Sequence, residues 1–197
     1  MLDTVNLNPP SRLKDIEEAT QAIRFMMASD QLTGSLLRTL ATTKPAATFL
    51  ELGTGTGMGT AWLLDGMDSR STLLTVDYDE QAISVAQRYL GQDRRVTFYT
   101  RDGAVFLQEL KDQGLTVDFI FADTWPGKYT QLGDALQLLN VGGLYVVDDM
   151  LPQPSWPEDH PPKVSNLISV LERRRDLRLT KLNWSTGLIV AAKLASD

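Results

Sequence analysis

Cysteine is absent from this chain, and histidine occurs once, as His160. The absence of cysteine excludes disulfides, zinc–thiolate sites, iron–sulfur clusters and thiol catalysis. A histidine-based metal cluster or a Ser-His-Asp triad would have to rest on His160 alone. The sequence therefore points away from these kinds of site before any motif is considered.

Excess positive charge and long apolar runs are missing as well. The 19 Lys and Arg residues are outnumbered by 25 Asp and Glu residues, and the net charge of −6 argues against a large electrostatic contact with nucleic acid. The basic run 173–175 lies near the end of a predicted helix, where positive charge suits the helix dipole. No apolar run approaches the roughly 20 residues that cross a bilayer, and no secretory signal pattern is recognised. We expect a cytoplasmic protein that binds neither nucleic acid nor a membrane.

From residue 48 onward, short apolar runs alternate with helical patterns. The runs 48–52, 72–76, 96–100, 117–122 and 144–147 predict strands, and 61–64, 80–90, 104–111 and 129–139 predict helices or parts of them. Residues 177–182 and 188–194 predict a closing antiparallel pair. This alternation predicts an α/β fold, a doubly wound and mostly parallel sheet with helices on both faces, in a single domain spanning 1–197.

The two ends of the chain add elements outside this alternation. Residues 1–10 predict an extended arm, and residues 11–43 predict two helices, the first capped by Ser11 and continued by the spacing of Met26 and Met27. Residues 151–162 hold five of the nine prolines and therefore predict a loop that contains no helix. A helix is predicted to return at 163–175.

The stretch Glu51-Leu52-Gly53-Thr54-Gly55-Thr56-Gly57-Met58-Gly59 places four glycines at alternate positions between a strand and a helix. Glycine lets the backbone turn tightly and lets a ligand approach it closely, and the start of a helix supplies free N–H groups. No frame of this loop fits the G-x-G-x-x-G/A fingerprint of dinucleotide-binding proteins, and no Gly-Lys-Ser/Thr of a P-loop occurs. The pattern predicts a binding loop for a different ligand.

Acidic residues follow the second and third predicted strands. A carboxylate at Asp77 can accept hydrogen bonds from both hydroxyls of a ribose, although Asp77 could instead cap the next helix, as we expect of Asp79. Asp102 and the N–H of Gly103 could contact an adenine base, and Asp102 is also a plausible helix cap. Both alternatives stay open at this point.

Three further aspartates follow the fourth and fifth strands, Asp123 and the pair Asp148 and Asp149. Neighbouring parallel strands would bring them to one edge of the sheet, where like charges raise one another's pKa unless a cation is bound. Such hard oxygen ligands suit Mg²⁺, or else Ca²⁺ or Mn²⁺, rather than zinc. In the alternative, Asp149 only satisfies backbone N–H groups and Asp123 contacts only the cofactor.

The spacing E-x-G-x-G-x-G at 51–57 resembles the first motif of class I S-adenosylmethionine-dependent methyltransferases. With Asp123 and the Asp148–Asp149 pair, most of the chain resembles the cation-dependent O-methyltransferases of the catechol and caffeoyl-coenzyme A type. The resemblance implies a Rossmann-like sheet of seven strands in the order 3-2-1-4-5-7-6, the last strand antiparallel, with two extra N-terminal helices. It also implies S-adenosylmethionine as cofactor, together with a divalent cation.

The resemblance assigns roles to individual residues. Glu51 would help to hold the methionine end of the cofactor, Gly53 and Gly55 would leave room for it, and Asp77 would bind its ribose. The predicted cofactor contacts are Glu51, Gly53, Thr54, Gly55, Thr60, Asp77, Tyr78, Asp102, Gly103, Asp123 and Trp125. The predicted metal ligands are Asp123, Asp148 and Asp149, and the predicted catalytic residues are Asp123 and Lys128.

One position departs from the family that the chain resembles. Catechol-type enzymes carry a lysine three residues after the first metal aspartate, and this chain has Pro126 there. Lys128 is then the candidate general base, and the other interpretation of Lys128 is a solvated loop residue. Thr124 stands where some members carry a histidine.

The methyl acceptor is predicted to lie between the N-terminal helices and the loop 151–162. The resemblance implies a small, phenolic acceptor. Its apolar walls would come from Trp125, Trp156, Met26, Met27 and Met150, although the same residues could be core or contacts of a homodimer. Two other functions stay open: a metal-independent methyltransferase acting on another small molecule, and a non-enzymatic nucleotide-binding module.

Overall fold

The computed structural model describes residues 3–5, 7–153 and 156–195, so parts of the predicted arm and of the Pro-rich loop lie outside the described residues. The strands are Thr48–Leu52 (β1), Thr72–Asp77 (β2), Val96–Thr100 (β3), Val117–Ala122 (β4), Leu139–Val147 (β5), Leu177–Leu182 (β6) and Leu188–Lys193 (β7). The helices are Leu13–Ala22 (α1), Gln31–Thr42 (α2), Met58–Gly66 (α3), Glu80–Leu90 (α4), Gly103–Asp112 (α5), Leu132–Leu138 (α6) and His160–Arg173 (α7).

The strands form one seven-stranded sheet in the order β3-β2-β1-β4-β5-β7-β6. The pairs among the first five strands are parallel, and β7 runs antiparallel to both β5 and β6. The predicted fold class, strand order and antiparallel last strand are confirmed. The strand order reverses at β1, which brings the carboxyl ends of β1, β2 and β4 together, the place where such sheets bind ligands.

The sheet is buried on both faces because successive residues of its central strands point to opposite sides. Leu50 and Ile120 pack with α5, α6 and α7, whereas Phe49 and Phe119 pack with α1, α2 and α3. All four of these side chains are fully buried. Within the described residues, no helix combines the length and the apolarity that a bilayer crossing requires.

The end of α1 differs from the sequence prediction. The helix stops at Ala22 because Arg24 takes a left-handed φ of +56° and the next N–H, of Phe25, returns to Thr20 O at 3.1 Å. This is a Schellman-type ending without the usual glycine, so no sequence signal marked it. The predicted cap at Ser11 is also wrong: the residue before α1 is Arg12, and no side chain caps the helix.

The Pro-rich loop is shorter than predicted. Helix α7 begins at His160 and takes Pro161 and Pro162 into its first turn, where a missing N–H costs little and the fixed φ of proline fits the helix. The predicted end of the loop at 162 is therefore wrong. Within the loop, residues 154 and 155 lie outside the described residues.

Candidate active site at the carboxyl edge of the sheet

The glycine loop joins β1 to α3 through three left-handed residues. Gly53, Gly55 and Gly57 have φ of +104°, +50° and +92°, a conformation that glycine takes without steric cost. The N–H groups of Gly53 and Thr54 both donate to Val76 O, at 3.0 and 3.1 Å. The loop is therefore fixed to the end of β2 by its own backbone.

Asp77, at the end of β2, fastens the same loop with its side chain. Its Oδ2 accepts the N–H of Gly55 at 2.8 Å, and its Oδ1 accepts the N–H of Asp79 at 3.0 Å. Asp79 caps α4, as predicted, whereas Asp77 does not. Each carboxylate oxygen of Asp77 keeps capacity for a further hydrogen bond, so hydroxyl groups of a ligand could still bind there. Tyr78 stands beside it, largely exposed.

Glu51 is fully buried beneath the glycine loop. Its Oε2 accepts the hydroxyls of Thr60 at 2.5 Å and Thr75 at 2.6 Å, and Thr75 is itself bonded to Thr54 at 2.6 Å. Its Oε1 has no partner among the described residues and occupies space left by the missing side chain of Gly59. Burial raises the pKa of Glu51 from 4.5 to about 7, against the two threonine hydrogen bonds, and the charge of Asp77 adds to the rise. The buried carboxyl thus ties β1, β2 and α3 together under the loop.

The buried carboxyl of Glu51 makes stability depend on pH. Because its pKa is raised from 4.5 to about 7 on folding, the stability due to its proton is complete below pH 4.5 and is lost as the pH rises through about 7. The loss amounts to about 3 kcal/mol at 1.36 kcal/mol per pKa unit. The glutamine of Glu51→Gln cannot ionise. In the wild type the free energy of unfolding should be higher at about pH 5 than at about pH 8, and we expect this difference to be smaller in the variant by about the same 3 kcal/mol. Urea unfolding at both pH values measures it, and an unchanged difference would contradict the buried, raised carboxyl.

The loop after β3 shows Asp102 acting as a helix cap. Its Oδ1 accepts the N–H groups of Ala104 and Val105, at 2.8 and 3.0 Å, so the capping alternative is confirmed. Gly103 lies against Pro126 of the loop after β4: a Cβ on Gly103 would come within 3.1 Å of Cβ of Pro126. The β3 and β4 loops are therefore in contact, and adenine binding by Asp102 and Gly103 stays a prediction.

The aspartates after β4 and β5 are held by residues distant in sequence. Oδ2 of Asp123 accepts the hydroxyl of Ser29 at 2.8 Å, and Oδ1 of Asp148 accepts the N–H of Asp149 at 2.7 Å and the hydroxyl of Thr186. Burial, and then the charge of Asp148, raises the pKa of Asp123 well above its ordinary value. Burial raises the pKa of Asp148 to about 6, and the charge of Asp149 adds to it despite the hydrogen bond from Thr186. These carboxyls lie close enough to repel one another.

The chemistry of these aspartates fits a divalent cation, but their three carboxyls are not grouped into one site. Hard carboxylate oxygens at a site with excess negative charge are the ligands that Mg²⁺ and Ca²⁺ take. Among residues 3–5, 7–153 and 156–195, however, no three acidic or histidine side chains are grouped closely enough to hold a metal. Asp123 and Asp148 form a suitable pair, whereas Asp149 does not complete a three-carboxylate site in this geometry.

Lys128 lies in a tight turn that follows Asp123. The three N–H groups of 128–130 all donate to Trp125 O, at 3.2, 2.9 and 3.1 Å, so the helix predicted from residue 129 begins only at Leu132. Lys128 is only 4% exposed, so the solvated interpretation of this residue is wrong. Its positive charge lowers the pKa of Asp123 and of Asp148. Lys128 is therefore an internal cation facing the acidic pair.

Four rings, which we call the aromatic cluster, adjoin this turn: Trp125, Tyr129, Trp156 and His160. A hydrogen bond of 3.1 Å joins the hydroxyl of Tyr129 to Nε2 of His160, and the ring of His160 lies 4.5 Å from that of Trp156. Trp125 and Tyr129 meet edge to face at 5.6 Å. Nζ of Lys163 lies 4.7 Å from the centre of the Trp125 ring. The cluster connects the loop after β4 with the start of α7.

The segment between α1 and α2 contacts both the glycine loop and Asp123. Phe25 packs against Gly55 of the glycine loop, where a Cβ would come within 3.2 Å of its ring. Four residues on, Ser29 donates to Asp123. Residues 25–29 therefore bridge the predicted cofactor loop and the acidic pair.

The predicted methionine walls are only partly compatible with the structure. Met26 and Met27 are 90% and 75% exposed, so the interpretation of these two as core residues is wrong. Met150, in contrast, is buried in the apolar layer that includes α7. A role of Met26 and Met27 in binding an acceptor or a second copy of the chain stays a prediction.

Sequence reasoning missed four residues of this site. Ser29 and Thr186 hold the acidic pair from positions that no local pattern marks. Tyr129 was assigned to a helix, and His160 to the Pro-rich loop. One signal could have pointed to His160. It is the single histidine of the chain, and it follows Asp148 closely in sequence.

The strand order, the glycine loop after β1 and the acidic residue after β2 define the class I methyltransferase fold. A family model described as O-methyltransferase matches residues 6–184, and the chain belongs to this family. The resemblance drawn from the sequence, to S-adenosylmethionine-dependent enzymes of the catechol and caffeoyl-coenzyme A type, is confirmed.

Curated relatives match part of their own length. The catechol O-methyltransferase of Niastella koreensis is 32% identical over 123 residues, which cover 60% of this chain and 56% of that protein. An O-methyltransferase from a Mycobacterium species (strain KMS) is 30% identical over 122 residues and is covered to 53%. The chain thus spans about half the length of the curated relatives it matches.

Solved structures share the fold over nearly the whole chain. The O-methyltransferase TomG of Streptomyces achromogenes, solved with S-adenosylmethionine, has a TM-score of 0.84 at 21% identity and covers 98% of this chain and 94% of its own. An O-methyltransferase from Bacillus cereus, solved with S-adenosylhomocysteine, has a TM-score of 0.84 at 20% identity and covers 96% and 93%. At these identities the likeness establishes the fold.

Proposed function

We propose that this protein transfers the methyl group of S-adenosylmethionine to an oxygen atom of a small acceptor. One observation carries the proposal: the left-handed glycine loop is bonded to Asp77 at 2.8 Å and lies against Asp123, the first residue of the acidic pair Asp123 and Asp148, in a chain of the O-methyltransferase family. The cofactor and the acceptor would meet between the glycine loop and the acidic pair. We assign the whole chain, 1–197, to one methyltransferase domain.

The cofactor would lie across the ends of β1, β2 and β3. Gly53 and Gly55 leave the backbone open to its methionine end, and the free lone pairs of Asp77 can accept its ribose hydroxyls. Asp102 and Gly103 would meet the adenine, with Tyr78 and Trp125 exposed nearby. The cofactor and product named for the two solved relatives support this assignment.

Replacing Asp77 by asparagine tests the ribose assignment. The change keeps the size of the side chain but removes its charge. The charged carboxylate accepts the N–H of Gly55 and, as proposed, the ribose hydroxyls. Hydrogen bonds to a charged group contribute about 1.5–3 kcal/mol, so we expect affinity for S-adenosylhomocysteine to fall by about 10- to 100-fold in isothermal titration. Asp79→Asn is the matched control, because asparagine caps a helix as well as aspartate and affinity should hold. Equal losses in both variants would contradict the assignment.

Asp123 and Asp148 would hold a divalent cation, most simply Mg²⁺ and otherwise Ca²⁺ or Mn²⁺. A cation bound there would lower the pKa of the acceptor hydroxyl and favour its oxyanion. Lys128 faces the same pair, and we assign to it an electrostatic role, stabilising negative charge on the acceptor oxygen, in place of the general-base role considered first. The chain itself aligns this oxygen with the sulfonium methyl, and such alignment can supply about 7–11 kcal/mol.

A metal-independent methyltransferase is the second candidate function. The buried Lys128 favours it, because a fixed positive charge beside Asp123 and Asp148 could act without a cation. Incubation with EDTA separates the two candidates. We expect methyl transfer to be lost with EDTA and restored by Mg²⁺, and transfer that continues in EDTA would select the metal-independent alternative.

Binding and transfer assays test the proposed function as a whole. We expect calorimetric binding of S-adenosylhomocysteine without binding of NAD, and methylation of catechol or caffeic acid as phenolic probes. Binding of NAD instead would favour the nucleotide-binding module.

Gel filtration tests the predicted homodimer.

A further inference from the structure

The proposed reaction needs a group that takes the proton of the acceptor hydroxyl. The lysine that catechol-type enzymes carry is Pro126 here, and Lys128 acts on its neighbours as a cation. The structure places two other proton-carrying groups next to this turn, the hydroxyl of Tyr129 and the imidazole of His160, joined by the hydrogen bond of 3.1 Å.

The backbone fixes Tyr129 beside the acidic residues. The N–H of Tyr129 donates to Trp125 O, and the preceding part of the turn is held by the hydroxyl of Tyr145, which donates to Gly127 O at 2.5 Å. Burial raises the pKa of the Tyr129 phenol, and the charges of Asp149 and then Asp123 raise it further. The hydroxyl therefore lies within electrostatic reach of the carboxylates where the acceptor would bind, and it stays protonated at neutral pH.

His160 is held next to this hydroxyl by the hydrogen bond at its Nε2. It opens α7, is 9% exposed and packs against Trp156 at 4.5 Å. Burial lowers the pKa of His160, and the charges of Lys128 and Lys163 lower it further. The charges of Asp149 and Asp159 oppose this with smaller effects. A neutral imidazole can accept a proton at Nε2 or carry one there, so it can receive the phenol proton of Tyr129.

We propose that Tyr129 hydrogen-bonds the hydroxyl of the methyl acceptor and that His160 receives the acceptor's proton through it. The acceptor proton moves to the oxygen of Tyr129 while the phenol proton of Tyr129 moves to Nε2 of His160. The acceptor oxygen forms its bond to the methyl carbon, and the electron pair of the broken S–CH₃ bond stays on sulfur. This inference rests on the proposed function and names the catalytic contact, Tyr129, and the proton acceptor behind it.

Two substitutions separate the two roles. Tyr129→Phe removes the hydroxyl and keeps the ring, so we expect KM for catechol to rise and kcat to fall, together on the order of 10²-fold in kcat/KM. His160→Gln can still accept the hydrogen bond of Tyr129 but cannot take its proton, so kcat should fall by about 10- to 100-fold with KM nearly unchanged. Tyr89→Phe, on α4 and away from this turn, is the matched control. All variants should bind S-adenosylhomocysteine as the wild type does.

The single histidine allows a direct readout without turnover. The NMR signals of one imidazole report its tautomer and the hydrogen bond at Nε2, and we expect the Nε2 shift to move in Tyr129→Phe and when catechol joins the complex with S-adenosylhomocysteine. Wild-type kcat in both variants, or an Nε2 signal that ignores Tyr129→Phe and catechol, would overturn the inference. A wild-type protein that binds no S-adenosylhomocysteine would instead overturn the proposed function, and the inference with it.

Discussion

Methyl transfer is expected to fall by on the order of 10²- to 10³-fold when Asp123 is replaced by asparagine, while the protein still folds and binds S-adenosylhomocysteine. Asparagine can accept the hydrogen bond from Ser29, so the bridge to residues 25–29 survives. What is lost is the negative charge that, with Asp148, would attract a divalent cation to the site beside Lys128. Steady-state rates with catechol at saturating cofactor measure the loss.

The same substitution should make the folded protein more stable. Asp148 is buried and Asp123 is half-buried, and the pKa values of both are raised by desolvation and by nearby negative charge, so replacing one of them by a neutral side chain relieves the repulsion. Urea unfolding without divalent cations should show a higher free energy of unfolding for Asp123→Asn than for the wild type. Asp112→Asn, at an exposed position in α5, is the charge-matched control and should alter neither rate nor stability. A variant that loses activity and stability together would indicate a structural role for Asp123 instead.

The regular elements of the sheet could be predicted closely from the sequence. The bounds of β1, β3, β4 and α4 agree with the predictions to the residue, because apolar runs end at glycine or polar residues and Asp79 marks the start of α4. The prediction for β5 began five residues late. The sequence predicts a turn at Gly142–Gly143, whereas the structure keeps this pair within the strand, at an irregularity in the pairing with β4.

The candidate site could be predicted as a set of positions but not as a geometry. Strand ends give Asp77, Asp123 and Asp148, because parallel strands bring their carboxyl ends to one edge. The groups that hold them come from far along the chain: Ser29 is 94 residues from Asp123, and Thr186 is 38 residues from Asp148. No local periodicity carries such pairings, which form only when the helices and the sheet pack. The same holds for the bond between Tyr129 and His160.

Burial was the other property that spacing could not give. The sequence leaves Lys128 equally suited to solvent and to catalysis, whereas in the structure the N–H groups of 128–130 donate to Trp125 O and the side chain is buried. Met26 and Met27 continue an apolar pattern, yet the left-handed Arg24 ends the helix first and leaves both exposed. In both cases the backbone path decides what a side chain contacts.

Gly53→Ala should weaken cofactor binding and destabilise the protein by roughly 4 kcal/mol. Gly53 has a φ of +104°, and a Cβ there would come within 2.9 Å of the backbone O of Asp123 and 3.2 Å of Cβ of Thr124. Backbone atoms cannot rotate away from this contact, so strain at the left-handed residue adds to a clash with the loop that follows β4. Urea unfolding and titration with S-adenosylhomocysteine measure the two effects.

The matched control for this change is Gly133→Ala in α6. Nothing lies within 4 Å of a Cβ at Gly133, and alanine favours a helix by about 0.5–1 kcal/mol over glycine, so stability should hold or rise. If both variants had the same stability and the same cofactor affinity, the close contact between Gly53 and Asp123 would not be the cause of the expected losses. The expected contrast has a specific cause, since Gly53 is where the predicted cofactor loop contacts the backbone of Asp123, the aspartate to which we propose a catalytic role. A methyl group inserted there would separate the two halves of the site, and methyl transfer should fall further than the loss of cofactor affinity alone accounts for.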